Sequence, residues 1–374
     1  MKYFNTKLII ALVATVFSVA MIVVASADDH NTTKGGELVI ENPTQSKKFH
    51  IASVISHNND KEFVSNSINT DFPFNAVAFS WNAPQEAKIQ IYTRFQKESW
   101  SDWQLVERDI DVEENDSINQ QTSSIIFTPY TNILQYKIVF EDSTQSDQIK
   151  NLKINYIDST KGGKSIYTAA TVTSDSLNII PRSQWGADES IRFDAAGEES
   201  WPKEYYTPQR FIIHHTDSSD VSNPTATVRA IYYFHAKSHN WGDIGYNYLI
   251  DNQGNIYEGR NGGDAVTGAH AAMNNRGSIG IAILGCYHPA SNCSAPGQLT
   301  PAAHNALERL IAVKSQQFNI DPSGLQKTAD GKTMPTVVGH RDVGHSNCPG
   351  DNIYTQLGVI KTQSNVQLAS LAPL

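Results

Sequence analysis

The chain has 374 residues, 40% of them hydrophobic, and a formal net charge of −9. That negative balance argues against a nucleic-acid binder and supplies no polybasic patch for anionic lipid. The length suits two domains better than one, with enough apolar material for a core in each.

At the start, Lys2 and Lys7 precede a charge-free run over 8–27 that ends in Ala25-Ser26-Ala27. A basic start, an apolar middle and a small-residue end describe a secretory signal peptide over 1–27. A run of that length also just spans a bilayer, so an uncleaved N-terminal membrane anchor is the alternative. Either way the chain is expected outside the cytoplasm, periplasmic or secreted. The polar, glycine-ended "DDHNTTKGG" over 28–36 is expected to be a flexible lead.

From 37 to 156 the pattern is β. In "KIQIYTRF" Ile89, Ile91 and Phe95 alternate with polar neighbours, "LKINY" alternates in the same way, and "YKIVF" is a buried-type run. Turn clusters such as "WNAP" and "EDSTQSDQ" separate these segments. The expectation is an all-β sandwich or jelly-roll-like domain. Trp81, Trp100 and Trp103 are candidates for a sugar-stacking face, although packing explains them more simply. Residues 157–177, rich in Ser, Thr and Gly, are expected to be a linker.

After the linker, over 178–362, strands alternate with helices. "FIIHHT" reads as a short buried strand. Asn223 before Pro224 is an N-cap followed by proline at the first helical position, and Val228, Ile231, Tyr232 and His235 then fall on one helical face. "YNYLI", "DNQG" and "NIYEGR" form a hairpin pattern, and "SIGIAILG" is a second buried strand. Thr300-Pro301 opens another helix with Ala303, Leu307, Leu310 and Ile311 on one side. This predicts an α/β domain with helices flanking a central mixed sheet, and a C-terminal tail over 363–374.

The three cysteines are Cys286, Cys293 and Cys348. The first two bracket the short loop "CYHPASNC" and are expected to form a disulfide. Cys348 is then left over, and a leftover cysteine in an exported chain points to a reactive thiol or a metal ligand. Nine of the twelve histidines lie at or beyond position 214. On a strand His214 and His215 point to opposite faces, so only one can serve a given site. His340, His345 and Cys348 sit on the loop "GHRDVGHSNCPG" after the strand "PTVVGH". Two imidazoles and a thiolate suit Zn2+, with a fourth position open to water. Spacing alone does not choose His340 over His345, and a packed core with an inert buried thiol remains the plainer alternative.

In order along the chain run "IIPRSQWGA", "FIIHHT", "WGDIGYNYLIDNQGNIYEGR", "GAH", "RGSIGIAILG" and "GHRDVGHSNCPG". Together they resemble the type-2 N-acetylmuramoyl-L-alanine amidases, the family of peptidoglycan recognition proteins and phage amidase-type lysozymes. The resemblance covers about half the chain. It implies zinc ligation by His214, His340 and Cys348. It also implies hydrolysis of the lactyl amide that joins N-acetylmuramic acid to L-alanine, with peptidoglycan as the partner. Tyr246, in "GYN", matches the family tyrosine that orients water or stabilises the oxyanion. Ser346 stands where phage lysozymes carry lysine and catalytic recognition proteins carry threonine, and takes a supporting role. His270, Asn247 and Arg260 are implied substrate contacts, and Glu258 and Asp342 are candidate orienters behind the ligands. Many recognition proteins lack the cysteine and bind the wall without cutting it, so a non-catalytic wall binder with a structural zinc is the alternative. The chain reads "EGRNGGDAV" where recognition proteins often read "EGRGW", which leaves the stem-peptide preference open.

Overall fold

The structure, a computed structural model, describes residues 22–25, 32–40, 61–84, 86–109, 120–142, 148–163, 177–218, 222–289, 296–328, 331–344 and 346–372. Residues 1–21 and 26–27 of the signal or anchor segment read over 1–27, together with His345 and Cys293, lie outside the described residues, whereas Ile22–Ala25 within that segment form a strand. Among the described residues no helix is long and apolar enough to cross a membrane.

The N-terminal part is built from nine strands: β1 (Ile22–Ala25), β2 (Lys34–Ile40), β3 (Glu62–Val64), β4 (Ile68–Asn82), β5 (Ile89–Gln96), β6 (Gln104–Leu105), β7 (Gln120–Thr122), β8 (Ile126–Phe140) and β9 (Lys150–Asp158). They hydrogen-bond in the order β1-β2-β9-β4-β8-β5-β6, with β3 on β8 and β7 on β4. The long strands change partners along their length. β8 pairs with β4 through residues 126–134 and with β5 through residues 133–140. This wraps the ladder around one apolar core that includes Phe74, Phe79, Trp81, Ile91, Leu134, Ile138 and Ile154. The alternation in β5 works as the sequence indicates, since Ile91 and Phe95 are buried between partly exposed Tyr92, Arg94 and Gln96. Trp81 is a core residue, whereas Trp100 and Trp103 lie on the outside with the Arg94 guanidinium 4.6 and 4.4 Å from their ring centroids. The three tryptophans therefore share no common face.

The C-terminal part is a six-stranded mixed sheet. Its strands are β10 (Ile179–Ile180), β11 (Arg210–His215), β12 (Tyr248–Ile250), β13 (Ile256–Glu258), β14 (Ser278–Ile283) and, beyond the separate hairpin β15 (Leu325–Lys327) and β16 (Thr333–Pro335), β17 (Val337–Gly339), in the order β10-β13-β12-β14-β11-β17. The pairs β14–β11 and β11–β17 are parallel. Parallel strands are covered on both faces, which is why β11 and β14 are buried at every position. Helices α3 (Pro301–Phe318) and α5 (Leu357–Ala369) cover one face, packing Leu307, Leu310, Ile311 and Ile360 on Phe211, Ile213, Ile279 and Ile281. Helix α2 (Pro224–Tyr233), continued by a π-helical turn Phe234–Ser238, covers the other through Val228 and Ile231. The short helices α1 (Arg182–Trp185) and α4 (Asp351–Tyr354) flank the sheet. Asn223 and Thr300 cap α2 and α3 by accepting the backbone N–H of Ala226 and Ala303, and proline follows each cap.

Three expectations about connecting segments change. Strand β2 begins at Lys34, so the stretch read as a flexible lead ends inside a strand paired with β9. Strand β9 runs through Ile157 and Asp158, so the segment read as a linker begins inside a strand. Helix α5 continues into the stretch read as a tail, because Ile360 and Ser364 are buried against the domain.

The two parts also share a core. Ala76, Ala78, Ile125 and Ile157 of the β domain are buried with Trp185, Val228 and Ile231 of the α/β domain. Arg229 on α2 seals the contact, donating from Nε to the Ser159 carbonyl at 2.8 Å and from Nη1 to the Trp185 carbonyl at 2.8 Å.

Candidate metal centre

The centre forms where two parallel strands end side by side. The last paired residues of β11 and β17 are Ile213 and Gly339, so His214 and His340 come next on the same face. Their ring centroids are 4.6 Å apart. Cys348 arrives from the following loop, and its Sγ lies 3.6 Å from His214 Nδ1. Ligand atoms of His214, His340 and Cys348 all lie within 4.8 Å of one another, and all three residues are buried. Zinc–nitrogen and zinc–sulfur bonds of ~2.1 and ~2.3 Å put tetrahedral ligands ~3.4–3.8 Å apart. The His214–Cys348 separation already matches such an edge.

The protons can be placed from the hydrogen bonds. Ser278 Oγ donates to the Asn275 carbonyl at 2.9 Å, so it accepts from His270 Nε2 at 3.4 Å. His270 Nδ1 is then an acceptor and takes the proton of His214 Nε2 at 3.1 Å. This leaves His214 Nδ1 with its lone pair directed toward Cys348. Burial pushes His214 well below the usual histidine range, reinforced by His340, His270 and His215. Burial and His340 together push His270 down to about 3. Both rings are neutral, as ligation requires.

The cysteine loop is fixed from several sides. The His215 N–H donates to Cys348 Sγ at 3.4 Å, and the Cys348 N–H donates to Ser346 Oγ at 2.8 Å. Arg341 N–H donates to the Cys348 carbonyl at 2.9 Å. Asp342 accepts the Gly339 N–H at 2.9 Å and the Tyr354 hydroxyl at 2.6 Å, which holds the turn bearing His340. Gly339 must be glycine here, because a Cβ would meet Pro349 Cδ at 2.8 Å and Tyr354 at 3.0 Å.

Tyr246 borders the centre, its ring 5.4 Å from His214 and 5.6 Å from His235. His235 Nδ1 accepts the Gly245 N–H at 3.2 Å, anchoring the backbone just before Tyr246. His235 lies well below its ordinary pKa through burial and then His239, and burial takes His239 down to about 4.

The implied substrate contacts sit elsewhere. His270 lies behind His214, as described. Asn247 is buried, donating to the Val266 carbonyl at 3.0 Å and accepting the Gly280 N–H at 2.9 Å. Arg260 is 1% exposed, with Nη1 2.8 Å from Asp243 and Nη2 2.7 Å from the Trp201 carbonyl. All three side chains face the protein rather than solvent, because each completes a backbone, imidazole or charge network. Glu258 accepts the Arg182 N–H at 3.1 Å, away from the ligands. Sequence reasoning missed Asp243, fully buried with Arg182 at 3.1 Å and Arg260 at 2.8 Å. Its signal was available in the motif, an acid in "WGDIGYN" with an arginine in "EGR".

A second convergence also went unread. His215, Asp217 and His288 bring ligand-type atoms within 4.8 Å of one another on the opposite face of β11. His215 Nδ1 accepts the Tyr287 N–H at 3.0 Å, so the neutral ring keeps its proton on Nε2 and offers no lone pair there. The three pack as a buried polar cluster, with the His215 and His288 rings 4.5 Å apart and Asp217 Oδ1 3.8 Å from His288 Nε2. Cys286 is disulfide-bonded, whereas Cys348 is not part of a disulfide.

Residues 204–351 match the family described as N-acetylmuramoyl-L-alanine amidase. Peptidoglycan-recognition protein SC2 of Drosophila simulans is 33% identical over 193 residues, covering 50% of this chain and 88% of that protein. The chain belongs to the type-2 amidase and peptidoglycan recognition protein family. Within the family, the human N-acetylmuramoyl-L-alanine amidase is 28% identical over 185 residues, covering 48% of this chain and 27% of that protein. Among solved structures, Drosophila peptidoglycan recognition protein SD aligns with 49% of this chain and 94% of its own, at 26% identity and a TM-score of 0.38. Residues 26–153 match the family described as Rv3811 N-terminal galactose-binding domain-like. Family members thus carry both names, amidase and recognition protein.

Proposed function

We propose that this chain is an exported, zinc-dependent N-acetylmuramoyl-L-alanine amidase that cuts the bond between N-acetylmuramic acid and L-alanine in peptidoglycan. The observation that supports this above all others is the buried convergence of His214, His340 and Cys348. A recognition protein that only binds the wall has no need of a buried thiol held beside two imidazoles.

Zn2+ in such a site supplies Lewis acidity toward the amide carbonyl and makes a water nucleophilic near neutral pH. The chain's own residues do the rest. His214 and His340 offer nitrogen donors, and Cys348 offers sulfur beside the His215 N–H. His270 holds the proton of His214 Nε2, so the ring cannot turn its N–H toward the metal position. Tyr246 borders the same space, and its phenol is the donor for the oxyanion that develops on the lactyl carbonyl, a role typically worth ~3 kcal/mol. Ser346 keeps the cysteine loop in place through the Cys348 N–H. As the carbonyl–nitrogen bond breaks, the water oxygen stays on the lactyl carbon and a water proton leaves with the L-alanine amine.

The basic start and apolar run of residues 1–27 support export, and the oxidising compartment they lead to suits the disulfide at Cys286. Product mass spectrometry on digested sacculi tests the reading. Free stem peptides with an L-alanine amino terminus should appear, and should vanish with chelator or in Cys348→Ala. Sacculi retained without any release of stem peptide would instead identify a wall-binding protein.

A further inference from the structure

The cluster behind the candidate ligands is reached from the other domain. Ser124 lies between β7 and β8 of the β domain, and its Oγ donates to Asp217 Oδ2 at 2.7 Å. Both residues are buried. Ser124 is rigidly held on its own side. Its N–H donates to the Glu107 carbonyl at 3.2 Å, and its carbonyl accepts the Ser123 hydroxyl at 2.8 Å. Next to it, Ile125 enters the core shared by both domains.

Asp217 is held in an unusual conformation. It has φ 46° two residues after His215, a left-handed backbone that costs a non-glycine residue and persists only where its surroundings enforce it. Its neighbours enforce it: Thr216 Oγ1 accepts the Gly285 N–H at 3.0 Å, and Asp217 Oδ1 lies 3.8 Å from His288 Nε2. The His288 ring stands edge-on to His215 at 4.5 Å, and the Tyr287 N–H holds His215 Nδ1.

This cluster touches the cysteine loop twice. The His215 N–H donates to Cys348 Sγ. Residues 287 and 288 also form the floor under Gly350, where a Cβ would fall 2.3 Å from the Tyr287 carbonyl carbon, and the Asn352 N–H donates to the Tyr287 carbonyl at 3.1 Å. An unbroken set of packed, hydrogen-bonded groups therefore runs from the β domain to the thiol.

We propose that Ser124 is a positioning residue for the candidate metal centre: through Asp217 and the His215–His288 pair, the β domain fixes where Cys348 stands. The accessory domain is in this sense part of the active-site wall. The claim builds on the amidase reading but has a readout independent of it.

The test uses the full chain with Ser124→Ala. Its control is Tyr233→Phe, which removes a hydroxyl contact to the Gly35 carbonyl on the same interface. In metal-free protein, Cys348 should alkylate faster in Ser124→Ala than in the wild type, with Tyr233→Phe unchanged. Zinc competition against a chelator should show ~10-fold weaker binding in Ser124→Ala, as for other groups that orient a ligand. Hydrolysis should lose kcat with KM kept. Equal alkylation rates in the two variants and the wild type would overturn the proposal. Should the chain bind no zinc, the amidase reading falls, and the alkylation rates still decide this one.

Discussion

His214 Nε2 and His270 Nδ1 stand 3.1 Å apart, and that one bond settles which nitrogen of His214 faces the cysteine. A residue the family resemblance marks as a substrate contact thus works from behind the centre. His270→Ala should lower zinc affinity or kcat by ~10–100-fold, the usual cost of losing a ligand's orienting partner. His270→Asn, whose side-chain oxygen can replace Nδ1 as acceptor, should recover part of it. Zinc content and kcat of the two variants check this.

Asp243 is the negative hub of a buried arginine cluster, with Arg182 and Arg260 on its two oxygens and Arg192 Nε at 3.7 Å. Removing one member of a buried charge network leaves the others unpaired, which costs ~3–5 kcal/mol. Asp243→Asn should lower the denaturation midpoint in urea by a corresponding amount. Because Arg260 N–H also holds the Tyr246 carbonyl at 2.8 Å, activity should fall in the fraction that remains folded.

The acid side of the stability profile follows from His239. Its folded pKa is pushed down to about 4 by burial, against 6.5 for the free side chain. Between those values the unfolded chain binds a proton that the folded chain refuses. Stability from this residue is therefore full above about 6.5 and declines as the pH falls toward about 4, by at most ~1.4 kcal/mol per pH unit. His235, also held low, adds to the slope. Denaturant unfolding at a series of pH values should show a shallower slope for His239→Phe.

Gly339→Ala tests the packing of the cysteine loop. The added methyl, on the residue before His340, would press on Tyr354 and on Pro349, the residue after Cys348. Overpacking of this kind costs ~1–3 kcal/mol. The chelator-resistant fraction of bound zinc should drop further than the melting temperature does, since the strain falls on the loop rather than on the sheet.

Much of the architecture could be read in advance where the signal is local. Asn223-Pro224 and Thr300-Pro301 announce their helices because capping is a matter of a few consecutive residues. Alternation in β5 and the continuous apolar runs of β11 and β14 distinguish a half-covered strand from fully covered ones. His214, His340 and Cys348 were legible through motif resemblance, and the structure brings them together. What escaped depends on contacts between distant segments. Asn247 and Arg260 look like binding residues in isolation, and only the fold reveals the carbonyls and the carboxylate that occupy them. Ser124 and Asp217 lie 93 positions apart in different domains, and no periodicity connects them.

The two imidazoles of the centre come from neighbouring strands that the chain visits 126 residues apart, taking the difference between positions 340 and 214. Nearly all of the α/β domain must be assembled before they meet. Under the zinc reading proposed above, a three-residue site assembled from such distant segments would take up its metal late in folding, and zinc uptake would report on the completion of the fold.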